Sequence, residues 1–120
     1  MLLDSVIVID HLNRLAGASA YLAHVRERAA ISVITRAETL AGYPEKKQGD
    51  IRQLLDRFPT LSVDAEIGAL AALLRREHRW KIPDAFQAAI AQYHGLRLAT
   101  RNTHDFPEER FPFVLVPYRL

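Results

Sequence analysis

Leu2-Leu3-Asp4-Ser5-Val6-Ile7-Val8-Ile9 stands near the start of the chain, and the fold turns on where this run is divided. The leucines and the acid after them read as a short buried strand, Leu2 to Asp4. The β-branched residues that follow favour a longer strand, yet a strand, a turn at Asp4 and then a helix fit the same letters. An unpaired carboxylate among apolar residues is costly to bury, so Asp4 belongs at the end of an element. The same junction recurs along the chain. Glu38 follows Ile31-Ser32-Val33-Ile34-Thr35, and Asp84 follows Ile82-Pro83 and opens an alanine-rich helical stretch. Asp105 lies in Thr100-Arg101-Asn102-Thr103-His104-Asp105-Phe106, just after the strand-like Leu96 to Ala99. Four carboxylates that converged would repel one another unless a cation joined them, so this placement points to a divalent-metal site.

Between these junctions the sequence predicts helices over Ser19 to Arg28, from Thr35, through Ile51 to Phe58, after the N-cap Asp64, and from Asp84 to Tyr93 ending at Gly95. Ile67, Leu70, Ala71 and Leu74 form a stripe at helical spacing. Ala30 to Val33, Leu61 to Val63, Arg97 to Ala99 and Val114 to Val116 read as further short strands. Such alternation predicts one α/β domain over residues 1–120 with a mainly parallel sheet. Sites in such sheets form at the carboxyl ends of the strands, where Asp4 and the loop from Arg101 to Asp105 fall.

The composition narrows the chemistry. The chain has 120 residues, enough for a real core. It contains no cysteine, which removes disulfides, thiolate catalysis and thiolate-held zinc. The five histidines show no zinc-ligand spacing. The start lacks a basic region ahead of its apolar run, and no stretch is long enough to span a membrane, so a cytoplasmic protein is expected. The net charge of +2 permits an anionic partner without demanding one. Arg75, Arg76, Arg79 and Lys81 cluster around Trp80 just before Asp84. This cluster is either a solvated helix end or a nucleic-acid surface beside the acids.

Each acid also has a local explanation. Asp4 could cap a helix starting at Ser5. Thr35-x-x-Glu38 fits a capping box. Asp84 could favour the positive end of its helix, and Asp105 could form a turn. Asp10 is a further candidate ligand, better placed on a solvated face. His104 could touch a phosphate. Trp80 or Tyr43 could stack a base, although packing in the core suits both better. The joint placement of the acids is what the local explanations leave unaddressed.

Met1-Leu2-Leu3-Asp4-Ser5, Ile34-Thr35-Arg36-Ala37-Glu38, Ile82-Pro83-Asp84-Ala85 and Ala99-Thr100-Arg101-Asn102-Thr103-His104-Asp105-Phe106 occur in that order. In this the chain resembles the PIN domain family, and most of all the VapC-type ribonuclease toxins of toxin–antitoxin pairs. The resemblance covers essentially the whole chain. It implies a three-layer α/β/α sandwich with a central mainly parallel sheet, and a first strand ending near Asp4. It further implies a metal-dependent endoribonuclease that cuts RNA where it is single-stranded, with Asp4, Glu38, Asp84 and Asp105 holding Mg²⁺ or Mn²⁺. Ser5 matches the family's hydroxyl position, Asn102 shares the fourth corner with Asp105, and Arg101 is a candidate to steady the phosphate. A homodimer and a cognate antitoxin are implied as well. The rival is a PIN-fold module that holds RNA or a protein without cutting. A receiver domain fails, because the late strand is followed by Thr100-Arg101 where that fold needs a lysine. A metal-dependent phosphatase shares the chemistry, and its substrates would separate it.

Overall fold

The opening run is divided after Leu3. In the computed structural model, which describes residues 1–120, β1 is Leu2–Leu3 and α1 runs Ser5–Leu12, with Asp4 as its N-cap. The β-branched Val6–Ile9 stretch is therefore helical: Ile7 and Val8 are buried on the inner face of α1, and tertiary burial outweighs strand propensity. The chain continues through α2 (Ala16–Val25), β2 (Ala30–Ser32), α3 (Val33–Ala41), α4 (Gln48–Leu55), β3 (Thr60–Leu61), α5 (Ala65–His78), α6 (Ile82–Tyr93), β4 (Leu98–Ala99) and β5 (Val114–Leu115).

All five strands are parallel, in the order β3-β2-β1-β4-β5. Leu2 and Leu3 pair with Ala30 and Ile31 on one side and with Leu98 and Ala99 on the other. Successive strand side chains point to opposite faces, and the two cores follow from this. Leu2 and Leu98 join Ile67, Leu74, Ala88 and Ile90 beneath α5 and α6. Leu3, Ala99 and Ile31 join Ile7, Leu22, Val25, Ile51 and Leu55 on the opposite face. The result is the expected α/β/α sandwich. Ala85, Ala88 and Ala89 are fully buried, and the small side chains let α6 lie close to α5 and the sheet.

Several boundaries differ from the sequence reading. The second strand stops at Ser32, whose hydroxyl accepts from Thr35 N at 3.0 Å and caps α3. The capping box from Thr35 to Glu38 is thus not formed: Thr35 already lies inside the helix, and Glu38 is free to point elsewhere. Helix α2 starts at Ala16 rather than Ser19, β3 precedes Val63, and α6 starts at Ile82, which puts Asp84 in its first turn. Gly95, at φ +64°, ends the α6 segment as expected.

Candidate active site

Three neighbouring strands end side by side, and their last or next residues are polar. Ser32 ends β2, Asp4 follows β1 and Thr100 follows β4. Asp4 N bonds to Ala99 O at 2.9 Å, which holds the β1 and β4 ends in register. The Asp4 carboxylate is buried and accepts from Thr100 Oγ1 at 2.6 Å, Ser5 N at 2.8 Å and Gln87 Nε2 at 3.3 Å. Below it lies a buried relay. Ser32 Oγ donates to Gln87 Oε1 at 2.6 Å, Gln87 Nε2 donates to Thr35 Oγ1 at 2.7 Å, and Thr35 Oγ1 donates to Leu3 O at 3.1 Å. Every polar atom of this relay has a partner, which fixes where the carboxylate sits.

The other acids enter from three directions. Asp84 stands at the N-terminus of α6, one turn before Gln87, and Glu38 comes from α3. Asp105 comes from the loop after β4, where Asn102 Nδ2 donates to Asp105 Oδ2 at 3.0 Å and Asp105 N donates to Asn102 Oδ1 at 3.3 Å. The Asp84 carboxyl is pushed up to about 6, first by desolvation, then by the charges of Asp4, Asp105 and Glu38, with Lys81 alone opposing. Desolvation also raises the Asp4 carboxyl, against the hydrogen bonds from Thr100, Ser5 and Gln87. Partial burial and then the charge of Asp4 raise Glu38, while the nearby Ser5 hydroxyl lowers it. The structure therefore brings all four predicted acids into one shared field.

No three acidic or histidine side chains close around a single point. Mg²⁺ takes oxygen donors, is commonly held by one or two carboxylates directly and keeps several waters, so its fit here rests on donor type and charge and not on a formed cage. A self-repelling set of oxygen donors with one lysine at its edge fits such an ion in both charge and donor type.

Other expectations change. Asp10 is buried rather than on a solvated face. It takes a two-pronged ion pair from Arg101, Nε to Oδ2 at 2.8 Å and Nη2 to Oδ1 at 2.9 Å, and a hydrogen bond from the Tyr118 hydroxyl at 2.7 Å. Arg101 is thereby committed to tying the loop after β4 to α1. Trp80 is 3 % exposed and belongs to the core, its Nε1 bonded to Asp105 O at 2.9 Å. Tyr43 packs against the other core. Arg75 donates to Trp80 O at the end of α5, while Arg76, Arg79 and Lys81 stay exposed. Thr100, Gln87, Thr35 and Ser32 were not anticipated as parts of the site. The available signal was Gln87, a lone amide on an otherwise alanine-lined face three residues after Asp84.

The strand order and the acids at the strand ends define a PIN-like sandwich, and the sequence matches the family model described as PIN domain over residues 1–110. The chain belongs to the PIN domain family. Among solved structures it is similar to a toxin–antitoxin complex from Klebsiella pneumoniae, with 35% sequence identity and a TM-score of 0.90 over 99% of this chain and 98% of that one. It is also similar to FitAcB from Neisseria gonorrhoeae, with 26% identity and a TM-score of 0.81 over 99% of each chain. A FitAB structure bound to an IR36 DNA fragment is 25% identical, with a TM-score of 0.83 over 99% of this chain and 96% of that one. Comparison with curated proteins gives no match.

Proposed function

We propose that this chain is a metal-dependent endoribonuclease that cuts single-stranded stretches of RNA and is the toxin of a toxin–antitoxin pair. The observation that carries the reading is the gathering of Asp4, Glu38 and Asp105 around the half-buried Asp84, whose carboxyl is pushed up to about 6 first by desolvation and then by these three charges, with no nearby cation but Lys81. Folding has brought together charges that disfavour one another, and a bound cation would reverse the sign of that interaction.

Asp4, Glu38, Asp84 and Asp105 would hold Mg²⁺, or Mn²⁺ in its place. The ion would offset the negative charge of the phosphodiester and make an attacking water more acidic. The chain's own groups do the positioning. Thr100 and Gln87 fix the Asp4 carboxylate, Ser5 favours the charged form of Glu38, and the Asn102 side chain holds Asp105 by donating to its carboxylate and accepting from its backbone N–H. No cysteine is present to serve as an alternative nucleophile.

The toxin assignment rests on the likeness to the Klebsiella pneumoniae toxin–antitoxin complex. By that likeness the chain pairs with an antitoxin protein, and as in the implied family it acts as a homodimer. The test is cleavage of a single-stranded RNA by the purified chain with Mg²⁺ or Mn²⁺, abolished by EDTA. Undiminished cleavage in EDTA overturns the metal mechanism. RNA bound but uncut in the presence of metal makes the chain a binding module, and small phosphate esters turned over while RNA is not would make it a phosphatase.

A further inference from the structure

Beside Asp105 lies an open pocket of about 130 Å³ lined by His78, Trp80, His104, Asp105, Pro107, Arg110 and Phe111. Its floor is a rigid aromatic cluster. His78 stacks on Trp80 with ring centroids 4.5 Å apart and meets Phe111 edge-on at 5.2 Å, and the Trp80 and Phe111 centroids are 5.2 Å apart. The floor is anchored to the acid site, because Trp80 Nε1 donates to the carbonyl of Asp105 itself. The rim is polar and cationic. His104 and Arg110 are exposed, and the Arg110 guanidinium lies 5.3 Å from the Phe111 centroid. One polar atom here is unaccounted for: His78 Nδ1 is buried and has no hydrogen-bond partner in the protein. Such a group normally has a partner.

The pocket has room for a phosphate group. The aromatic faces would otherwise suggest a stacked base. However, Trp80 and Phe111 are 3 % and 8 % exposed, and they cover each other, so little aromatic surface is left to stack on. What remains open is the pair of exposed nitrogen donors at the rim, the His104 imidazole and the Arg110 guanidinium. We infer that this pocket is a backbone-phosphate subsite, in which Arg110 and His104, above the His78–Trp80 floor, take a phosphodiester of the RNA next to the one placed at the acids. The inference deepens the nuclease reading and, for its link to RNA, rests on it. Asp105 is the shared wall. Its charge would repel a phosphate in the metal-free protein, so the subsite fills once a cation sits at the acids. The exposed Arg76, Arg79 and Lys81 then lie on the α5 and α6 ends leading to the pocket, rather than in it.

Trp80 is the only tryptophan of the chain, so its fluorescence reports on this pocket directly. The wild-type protein, titrated with inorganic phosphate in the presence of Mg²⁺, is expected to show a saturable change in emission. Arg110→Gln should need about tenfold more phosphate, the loss of one charge-assisted hydrogen bond at a partly open site, and Arg110→Lys should recover part of the difference. Arg110 is an exposed side chain, and melting curves verify that both variants stay folded. An unsaturable response, or the same midpoint in wild type and Arg110→Gln, overturns the subsite. The second arm uses RNA oligonucleotides carrying one neutral methylphosphonate beside the cleaved position. The substitution should lower kcat/KM by about tenfold in the wild type, and Arg110→Gln should show no further loss when combined with it. Additive losses overturn the assignment to RNA and leave the pocket a site for free phosphate. A saturable, Arg110-dependent titration in a protein that cuts no RNA upholds the pocket and removes the nuclease reading. RNA cutting with no phosphate response does the reverse.

Discussion

Replacing Asp84 by asparagine should make the metal-free protein more stable. The Asp84 carboxyl sits at about 6 in the folded chain against an ordinary 3.8. The folded state therefore holds this proton more tightly than the unfolded state does, and the ionised side chain opposes folding at neutral and higher pH. Two pK units correspond to nearly 3 kcal/mol; solvent screening of this partly exposed carboxylate brings the penalty to about 1–2 kcal/mol. One contribution runs the other way. Asp84 lies in the first turn of α6, where a negative charge gains about 0.3–1 kcal/mol from the helix N-terminus. The combined penalty of desolvation and repulsion wins, leaving a net gain of about 1 kcal/mol for Asp84→Asn, or about 3–5 °C in melting temperature for a domain of this size. Thermal melts followed by circular dichroism in EDTA would measure it. The advantage should be full at about pH 8 and should shrink as pH falls from about 6 toward the unfolded value, because the wild type then takes up the proton that relieves its own strain. Saturating Mg²⁺ should reverse the order, since only the wild type then gains fully from binding. If Asp84→Asn melts below the wild type in EDTA at high pH, the carboxylate is acting as a helix cap and the acids do not burden one another.

Thr100→Val keeps the shape but removes the donor to Asp4 and the acceptor for Asn102 N; a loss of about 1–3 kcal/mol, with RNA cleavage falling more than RNA affinity, would be seen in denaturant titrations and kinetics. Asp105→Asn should weaken Mg²⁺ binding and activity more than Asn102→Ala does, because Asp105 carries the charge and Asn102 only holds it; calorimetric titration giving the opposite order would assign that corner to Asn102. Asp10→Asn should cost about 2 kcal/mol, less than a fully enclosed pair because Arg101 is 31% exposed. The Arg101 hydrogen bonds hold the Asp10 carboxyl below its ordinary value, so its contribution is complete above 3.8 and is lost as acid protonates it. Melts of the two proteins should therefore converge at low pH, and a constant gap would refute the pairing.

The acids were legible because each interrupts or follows an apolar run, and a charge there needs a reason. The sandwich was legible from alternation alone, although strands of two or three residues leave their ends open by a residue or two. What escaped was polarity without charge. Gln87 and Thr100 are ordinary letters in an alanine-rich helix and a loop, and only folding shows both aimed at Asp4. Asp10 was misplaced for a related reason: its partner Arg101 is 91 positions away, so nothing local marks the carboxylate as paired. The Thr35–Glu38 capping box failed because Ser32 closes its strand and caps the next helix at once, taking the Thr35 amide before that motif can form.

The central strand is the first one in the chain, and its neighbour β4 is nearly the last. Asp4 meets Thr100 across a sequence separation of 96 residues, while the other neighbour of β1, β2 (Ala30–Ser32), becomes available after little more than the first quarter of the sequence. A nascent chain on the ribosome can therefore assemble β1, β2 and β3 with their helices long before β4 exists. Until then the edge of β1 stays unpaired and Asp4 lacks the hydroxyl that fixes it. Closing so long a loop is slow, so the final pairing should be the late event in folding. If the chain cuts RNA as proposed, this order of assembly would keep the incomplete chain inert while it is still attached to the messenger and ribosome that are making it.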